Sequence, residues 1–179
     1  MSSYNDLQDE ELVALCQQSM ARTKEILGVL YERHHVGLYN FLRRFVGNAH
    51  LAEDLLQETF LRVFRGLSAF RPERRLADWL YTIALNAARD AMRRKRPALL
   101  ATDVPSGASP AAAAERHEEE ELLSKMILQL PDEERAVFLL ARVERRTMQE
   151  TADAMGFSLR TAKNRLASAL GRLSHAMGV

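Results

Sequence analysis

The residues between Glu150 and Arg172 have the types and spacing of a surface that holds a polyanion. Arg160, Thr161, Lys163, Asn164 and Arg165 fall close together, with Arg172 further along the same stretch. Cations of this kind take phosphates, and a carboxamide or guanidinium can read base edges in a duplex groove. The residues around them suit the task. Glu150 to Met155 reads as a short helix closed by Gly156, whose missing Cβ fits a left-handed turn residue. Ser158 stands where a second helix would be capped, and Leu159, Ala162, Leu166 and either Ala169 or Leu170 supply its buried face. The small Ala152 lets the two helices cross closely. This is the helix-turn-helix plan, in which the second helix enters the major groove. A plain helical hairpin with a solvated basic face fits the same residues, and the pattern alone leaves both readings open.

Further chemistry is spread along the chain. Asp54, Gln57 and Glu58 fall within one helical turn, so two charges and an amide share a polar strip that could pair bidentately with arginine on a partner. A solvated face opposite Leu55, Phe60 and Phe64 is the alternative. The net charge of +1 hides a strong asymmetry. From Arg71 to Arg96 eight basic residues oppose three acids (+5), from Ala98 to Glu121 six acids oppose one arginine (−5), and from Arg145 onward six basic residues oppose two acids (+4). Two basic blocks around an acidic one suggest two polyanion-binding surfaces. Enzymatic signals are missing. His34, His35, His50, His117 and His175 lack ligand spacing, Cys16 has no evident partner, and no Gly-rich phosphate loop occurs. The expectation is a chain with no catalytic residue, no metal, no cofactor and no small-molecule substrate.

The elements that must carry these groups read as helices. Leu51, Leu55, Leu56, Phe60, Val63, Phe64 and Leu67 recur at steps of three and four, and Leu80, Ile83, Ala84, Ala87, Ala88 and Ala91 repeat the pattern after Asp78, placed as an N-cap. No alternating strand-length run appears, so the fold class is all-α. Pro97, Pro105, Ser106, Gly107, Ser109 and Pro110 break any apolar face, and helix resumes near Ala111. The reading is a helical domain over 1–97, a flexible acidic linker over 98–121 and a second helical domain over 122–179. No apolar run is long enough to span a membrane, and the polar, acidic start carries no secretory leader. Cys16, set in an apolar helical pattern, reads as a buried, reduced structural thiol, and the cytoplasm is the expected location.

Four stretches carry a family resemblance in order and spacing. They are Asp9-Glu-Glu-Leu-Val13 with Leu30-Tyr-Glu-Arg33 and Leu38-Tyr-Asn-Phe41; Ala52-Glu-Asp-Leu-Leu-Gln-Glu-Thr-Phe60; Trp79-Leu-Tyr-Thr-Ile-Ala-Leu-Asn86 with Asp90 and Arg93-Arg94-Lys95-Arg96; and Leu130-Pro-Asp-Glu-Glu-Arg135 with Val137-Phe-Leu-Leu140, Glu150-Thr-Ala152 and Thr161-Ala-Lys-Asn-Arg-Leu166. Together they resemble the extracytoplasmic-function (ECF) sigma factors, promoter-specificity subunits of bacterial RNA polymerase. The resemblance implies a region 2 helical bundle and a region 4 helix-turn-helix. Its partners would be core polymerase (β and β′ subunits), promoter DNA and an anti-sigma factor. It assigns Asp54, Gln57 and Glu58 to the polymerase. Arg71, Arg74, Arg75, Asn86, Asp90, Arg93, Arg94 and Arg96 go to the non-template strand of the minus-ten element. Arg160, Thr161, Lys163, Asn164, Arg165 and Arg172 go to the minus-thirty-five element, with Lys163 and Asn164 as base readers. It further implies that Phe70 to Ala77 is a loop over a flipped base, with Asn86 and Asp90 on one helix face against that base and Trp79 a core anchor below. Ser19 to Gly28, Thr151, Arg160, Ala167, Ser168 and Gly171 depart from the family's usual residues. A conventional helix-turn-helix repressor or activator accounts for Glu150 to Arg172 equally well, but not for the acidic strip or the Trp79 helix, and no heptad seam provides its dimer.

Overall fold

The computed structural model describes residues 4–19, 22–71, 75–95 and 114–178, and the regular elements among them are all helical. In the first half, α1 (Asp9–Gln18) begins where the Glu11 carboxylate accepts the Gln8 N–H at 2.7 Å. The long α2 (Thr23–Val46) stops at Gly47, whose φ of 73° a residue with a Cβ adopts only under strain. Asn48 caps α3 (Ala49–Gly66) by accepting the Leu51 N–H, and a 3-10 turn (Leu67–Ala69) leads towards α4 (Leu76–Lys95). Helix α2 packs against both α3 and α4, burying Leu30, Phe41, Leu42 and Phe45 with Leu55, Val63, Leu80 and Leu85. The expected α3 stripe is buried at Leu55, Leu56, Val63 and Leu67 but not at Phe64, which is 49% exposed.

One capping expectation is corrected. Asp78 is not an N-cap but lies inside the first turn of α4, and the Leu76 N–H is taken instead by Glu10 Oε1 of α1, at 2.9 Å. Asp78 spends its carboxylate elsewhere, on Arg146.

The second half holds α5 (Ala114–Gln129), α6 (Asp132–Phe138) with a π-helical turn (Leu139–Val143), α7 (Met148–Met155) and α8 (Leu159–Met177). Residues 98–113 of the expected linker lie outside the described residues, whereas 114–121 form the start of α5. Thr147 and Glu150 cap α7 reciprocally, Gly156 closes it at φ 66°, and Ser158 caps α8. The buried face of α8 is Ala162, Leu166, Ala169 and Leu173; of the Ala169 and Leu170 alternatives it is Ala169 that turns inward, while Leu159, placed inward by the sequence, is exposed.

The two halves meet along α4 and α7. Arg146 reaches Asp78 at 2.6 Å and lies over the Tyr81 ring, while the Tyr81 hydroxyl donates to Glu144 at 2.6 Å. The Thr82 hydroxyl reaches the Ala154 carbonyl at 3.1 Å, and Arg75 pairs with Glu150. Burial pushes the Asp78 carboxyl above its usual range more than Arg146 and Arg75 lower it, and burial with the Glu144 bond pushes the Tyr81 phenol up.

Candidate nucleic-acid interface

Helix periodicity divides the six candidate residues on α8 into two sets. Positions 160, 163, 164, 167 and 171 share one face, because residues three, four and seven apart stack along a helix. Arg160, Lys163 and Asn164 are exposed there and have no polar partner among the described residues; Ala167 and Gly171 keep the face flat. Positions 161, 165, 168 and 172 form the neighbouring stripe, turned towards α6. The Thr161 hydroxyl lies 2.8 Å from Ser158 Oγ, and Arg165 pairs with Glu133 at 2.9 Å. Ser168 Oγ donates to Glu134 Oε1 at 3.0 Å, and Arg172 Nε lies 3.0 Å from Glu134 Oε2. Glu134 is only 4% exposed, so the Ser168 hydrogen bond and the nearby Arg172 charge offset part of the cost of burying its carboxylate, whose Oε2 has no hydrogen-bond partner among the described residues. The structure therefore groups Arg160, Lys163 and Asn164 and places Arg165 and Arg172 in contacts that pack α8 onto α6.

On α4, Asn86 is exposed between buried Leu85 and Ala87, and its carboxamide has no partner among the described residues. Asp90 shares that face one turn on, but its carboxylate is occupied. Arg62 Nη1 approaches Oδ2 at 3.3 Å and Arg93 Nη2 donates to Oδ1 at 2.9 Å, while Arg94 Nε reaches the Asp90 carbonyl at 3.3 Å. Arg71 is exposed, Arg75 is held by Glu150, and Arg74 and Arg96 lie outside the described residues. Trp79 packs on Phe70 with ring centroids 5.1 Å apart and closes over Gly66, as a core anchor does.

On α3, Asp54 and Gln57 are exposed, and half-exposed Glu58 accepts from Arg62 Nε at 2.8 Å. The strip continues into Leu61, 51% exposed one turn beyond Gln57. Two residues escaped the sequence reading. Leu61 was discoverable by extending the 54–57–58 periodicity. For Arg62 only the pairing with Glu58, four residues back on the helix, was discoverable, because its link to Asp90 crosses 28 positions. The Glu58 bond, followed by Asp90, raises the basicity of Arg62.

Comparison with known proteins gives these faces a family. Residues 30–98 match the profile of Sigma-70 region 2, and residues 120–173 match that of Sigma-70, region 4. The chain is 36% identical to the RNA polymerase sigma factor CarQ of Myxococcus xanthus over 152 residues, covering 83% of this chain and 87% of that one. The chain belongs to the ECF RNA polymerase sigma factors. This sigma factor is also 32% identical to ECF sigma factor SigX of Bacillus subtilis, covering 75% of each chain. Its fold matches CnrH, solved in complex with the cytosolic domain of CnrY, with a TM-score of 0.74 at 25% identity over 95% of this chain and 97% of that one. Among the described residues of this sigma factor no helix is long and apolar enough to cross a membrane, and no cluster of three or more His, Cys, Asp or Glu is placed to hold a metal.

Proposed function

We propose that this sigma factor binds core polymerase through the α3 strip Asp54, Gln57 and Glu58, reads the minus-thirty-five element with Arg160, Lys163 and Asn164, and captures a non-template base of the minus-ten element at Asn86. The observation that carries the reading is the state of Asn86. A carboxamide with an open donor and an open acceptor, fixed on a helix between buried neighbours, can pair with the edge of an unstacked base. Arg71, Arg93 and Arg94 lie along the same half as phosphate ligands, and Arg165 and Arg172 act there as supports for α8. The division into region 2 (1–97), linker (98–121) and region 4 (122–179) follows the family, as does action in the cytoplasm with no catalytic step of the chain's own. Because CnrH was solved with CnrY and the Bartonella quintana sigma factor RpoE with the anti-sigma factor NepR, an anti-sigma protein is the proposed regulator.

The test is a reconstituted holoenzyme. Core polymerase mixed with the parent chain should start transcripts at new sites, whereas Asn86→Ala should keep polymerase affinity, lose open complexes on duplex promoters and recover partly on a pre-melted bubble. Normal opening with unaltered base preference would refute the assignment of Asn86. Promoter binding without polymerase would point to a repressor or activator.

A further inference from the structure

A run of alternating charges joins the two faces assigned above. Glu58 on α3 accepts from Arg62 Nε at 2.8 Å, Arg62 Nη1 reaches Asp90 Oδ2 at 3.3 Å, and Asp90 Oδ1 accepts from Arg93 Nη2 at 2.9 Å. The two inner groups are each shared: one guanidinium serves two carboxylates, and one carboxylate serves two guanidinium groups. The two ends are the more open members, Glu58 with a side chain 40% exposed and Arg93 with one 81% exposed. Glu58 stands on the strip assigned to polymerase, and Arg93 follows Asn86 along the helix assigned to the minus-ten strand.

We propose that Arg62 is a positioning residue that couples polymerase docking at Glu58 to phosphate capture at Arg93. The inference rests on the proposed function above. A cationic group of the polymerase that takes Glu58 leaves Arg62 to Asp90 alone. Asp90, then fully satisfied by Arg62, holds Arg93 less, and Arg93 is released to the backbone of the strand. Run in reverse, a phosphate that takes Arg93 frees Asp90 for Arg62 and so frees Glu58 for the polymerase. Linkage requires the two effects to be equal in size. Isolated surface pairs of this kind contribute little; here the effect comes from competition for shared groups. The surroundings favour a coupling role over a structural one, since the α3–α4 contact is also held by buried apolar residues such as Leu55, Val63 and Leu80.

The test is a thermodynamic cycle on the full chain. The affinity of core polymerase for the sigma factor is measured with and without a single-stranded oligonucleotide carrying the minus-ten element. In the parent chain the oligonucleotide should tighten polymerase binding, and Arg62→Gln should reduce that gain by about three- to tenfold while the melting temperature moves by only a few degrees. Arg62→Lys, a point charge that serves one carboxylate at a time, should keep part of the gain. Asp90→Asn breaks the run at its other inner member with little change of shape, and should lose the gain as Arg62→Gln does; it decides the matter should Arg62→Gln fail to fold. An undiminished gain in both Arg62→Gln and Asp90→Asn overturns the coupling. Asn86→Ala separates the two levels: if it weakens oligonucleotide capture while those variants keep the gain, only the coupling falls. If Asn86→Ala changes nothing, the assignment of the minus-ten face falls with it.

Discussion

Replacing Arg135 by lysine tests how the two halves of the chain are closed. Its side chain is 7% exposed and carries four hydrogen bonds to main-chain carbonyls. Nε donates to Ile127 O at 3.2 Å, Nη2 to Leu128 O at 2.5 Å and Leu130 O at 2.9 Å, and Nη1 to Phe45 O at 2.7 Å. Ile127 and Leu128 lie in the last turn of α5 and Phe45 in the last turn of α2, where carbonyls have no partner within their own helix. A cation there also meets the negative ends of two helix dipoles, and the guanidinium lies 5.4 Å from the Phe45 ring centroid. Lysine preserves the charge but gathers its three donors on one atom, so it cannot reach carbonyls spread along the edge of a planar group. If two of the four bonds are lost at roughly 1–1.5 kcal/mol each, the cost is about 2–3 kcal/mol. With a urea dependence of about 2 kcal/mol per molar, the unfolding midpoint should fall by about 1–1.5 M. Arg135→Met takes the guanidinium from all four carbonyls and, among the described residues, leaves only that of Ile127 with a main-chain donor, the Leu130 N–H at 3.1 Å, so it should cost about 4 kcal/mol or more. Urea unfolding followed by circular dichroism measures both. A lysine variant whose midpoint lies within about 0.3 M of the parent would refute the argument, because it would mean that water or backbone satisfies these carbonyls without the guanidinium.

Other consequences can be measured directly. Lys163→Ala should relax preference at one upstream base pair by about 1–3 kcal/mol, whereas Arg172→Ala should lower stability by roughly 1 kcal/mol through the loss of its Glu134 contact and leave base preference intact; promoter-variant binding together with thermal melts separates the two. The His34 hydrogen bond, aided by Arg33, holds the Asp9 carboxyl below its usual value of 3.8 despite burial. Asp9 therefore stabilises the fold above that value and ceases to do so as pH falls through its lowered one, and Asp9→Asn should flatten the acid limb of a stability–pH profile. Arg145 adopts φ 53°, in the left-handed region, so Arg145→Gly should raise stability by about 0.5–1 kcal/mol in the same melts; an unchanged or lowered midpoint would show that the arginine side chain supports the turn.

The sequence by itself determined the local structure. Apolar spacing on α3, the Ser158 cap and Gly156 all act between residues within about one helical turn, so a linear pattern records them. The all-α class and the helix-turn-helix were legible for that reason, as were the exposed positions of Arg160, Lys163 and Asn164. Tertiary structure decided which of the charged groups are free. Asp78 looked like a cap by position, but Glu10, 66 residues away, takes the Leu76 N–H, and Asp78 goes to Arg146. Arg165 and Arg172 are DNA ligands by type, and it is the fold that brings Glu133 and Glu134 of α6 within reach of them. Phe64 looked like core by periodicity and lies exposed, although Val63 beside it and Leu67 one turn on are buried. Arg62 and Arg135 have near partners in Glu58 and the end of α5, but the links that give them their roles, to Asp90 and Phe45, span 28 and 90 residues. Apolar burial follows a repeat that the chain carries within each helix; the pairing of a long charged side chain depends on what folding brings within about 3 Å of its tip, and no repeat encodes that.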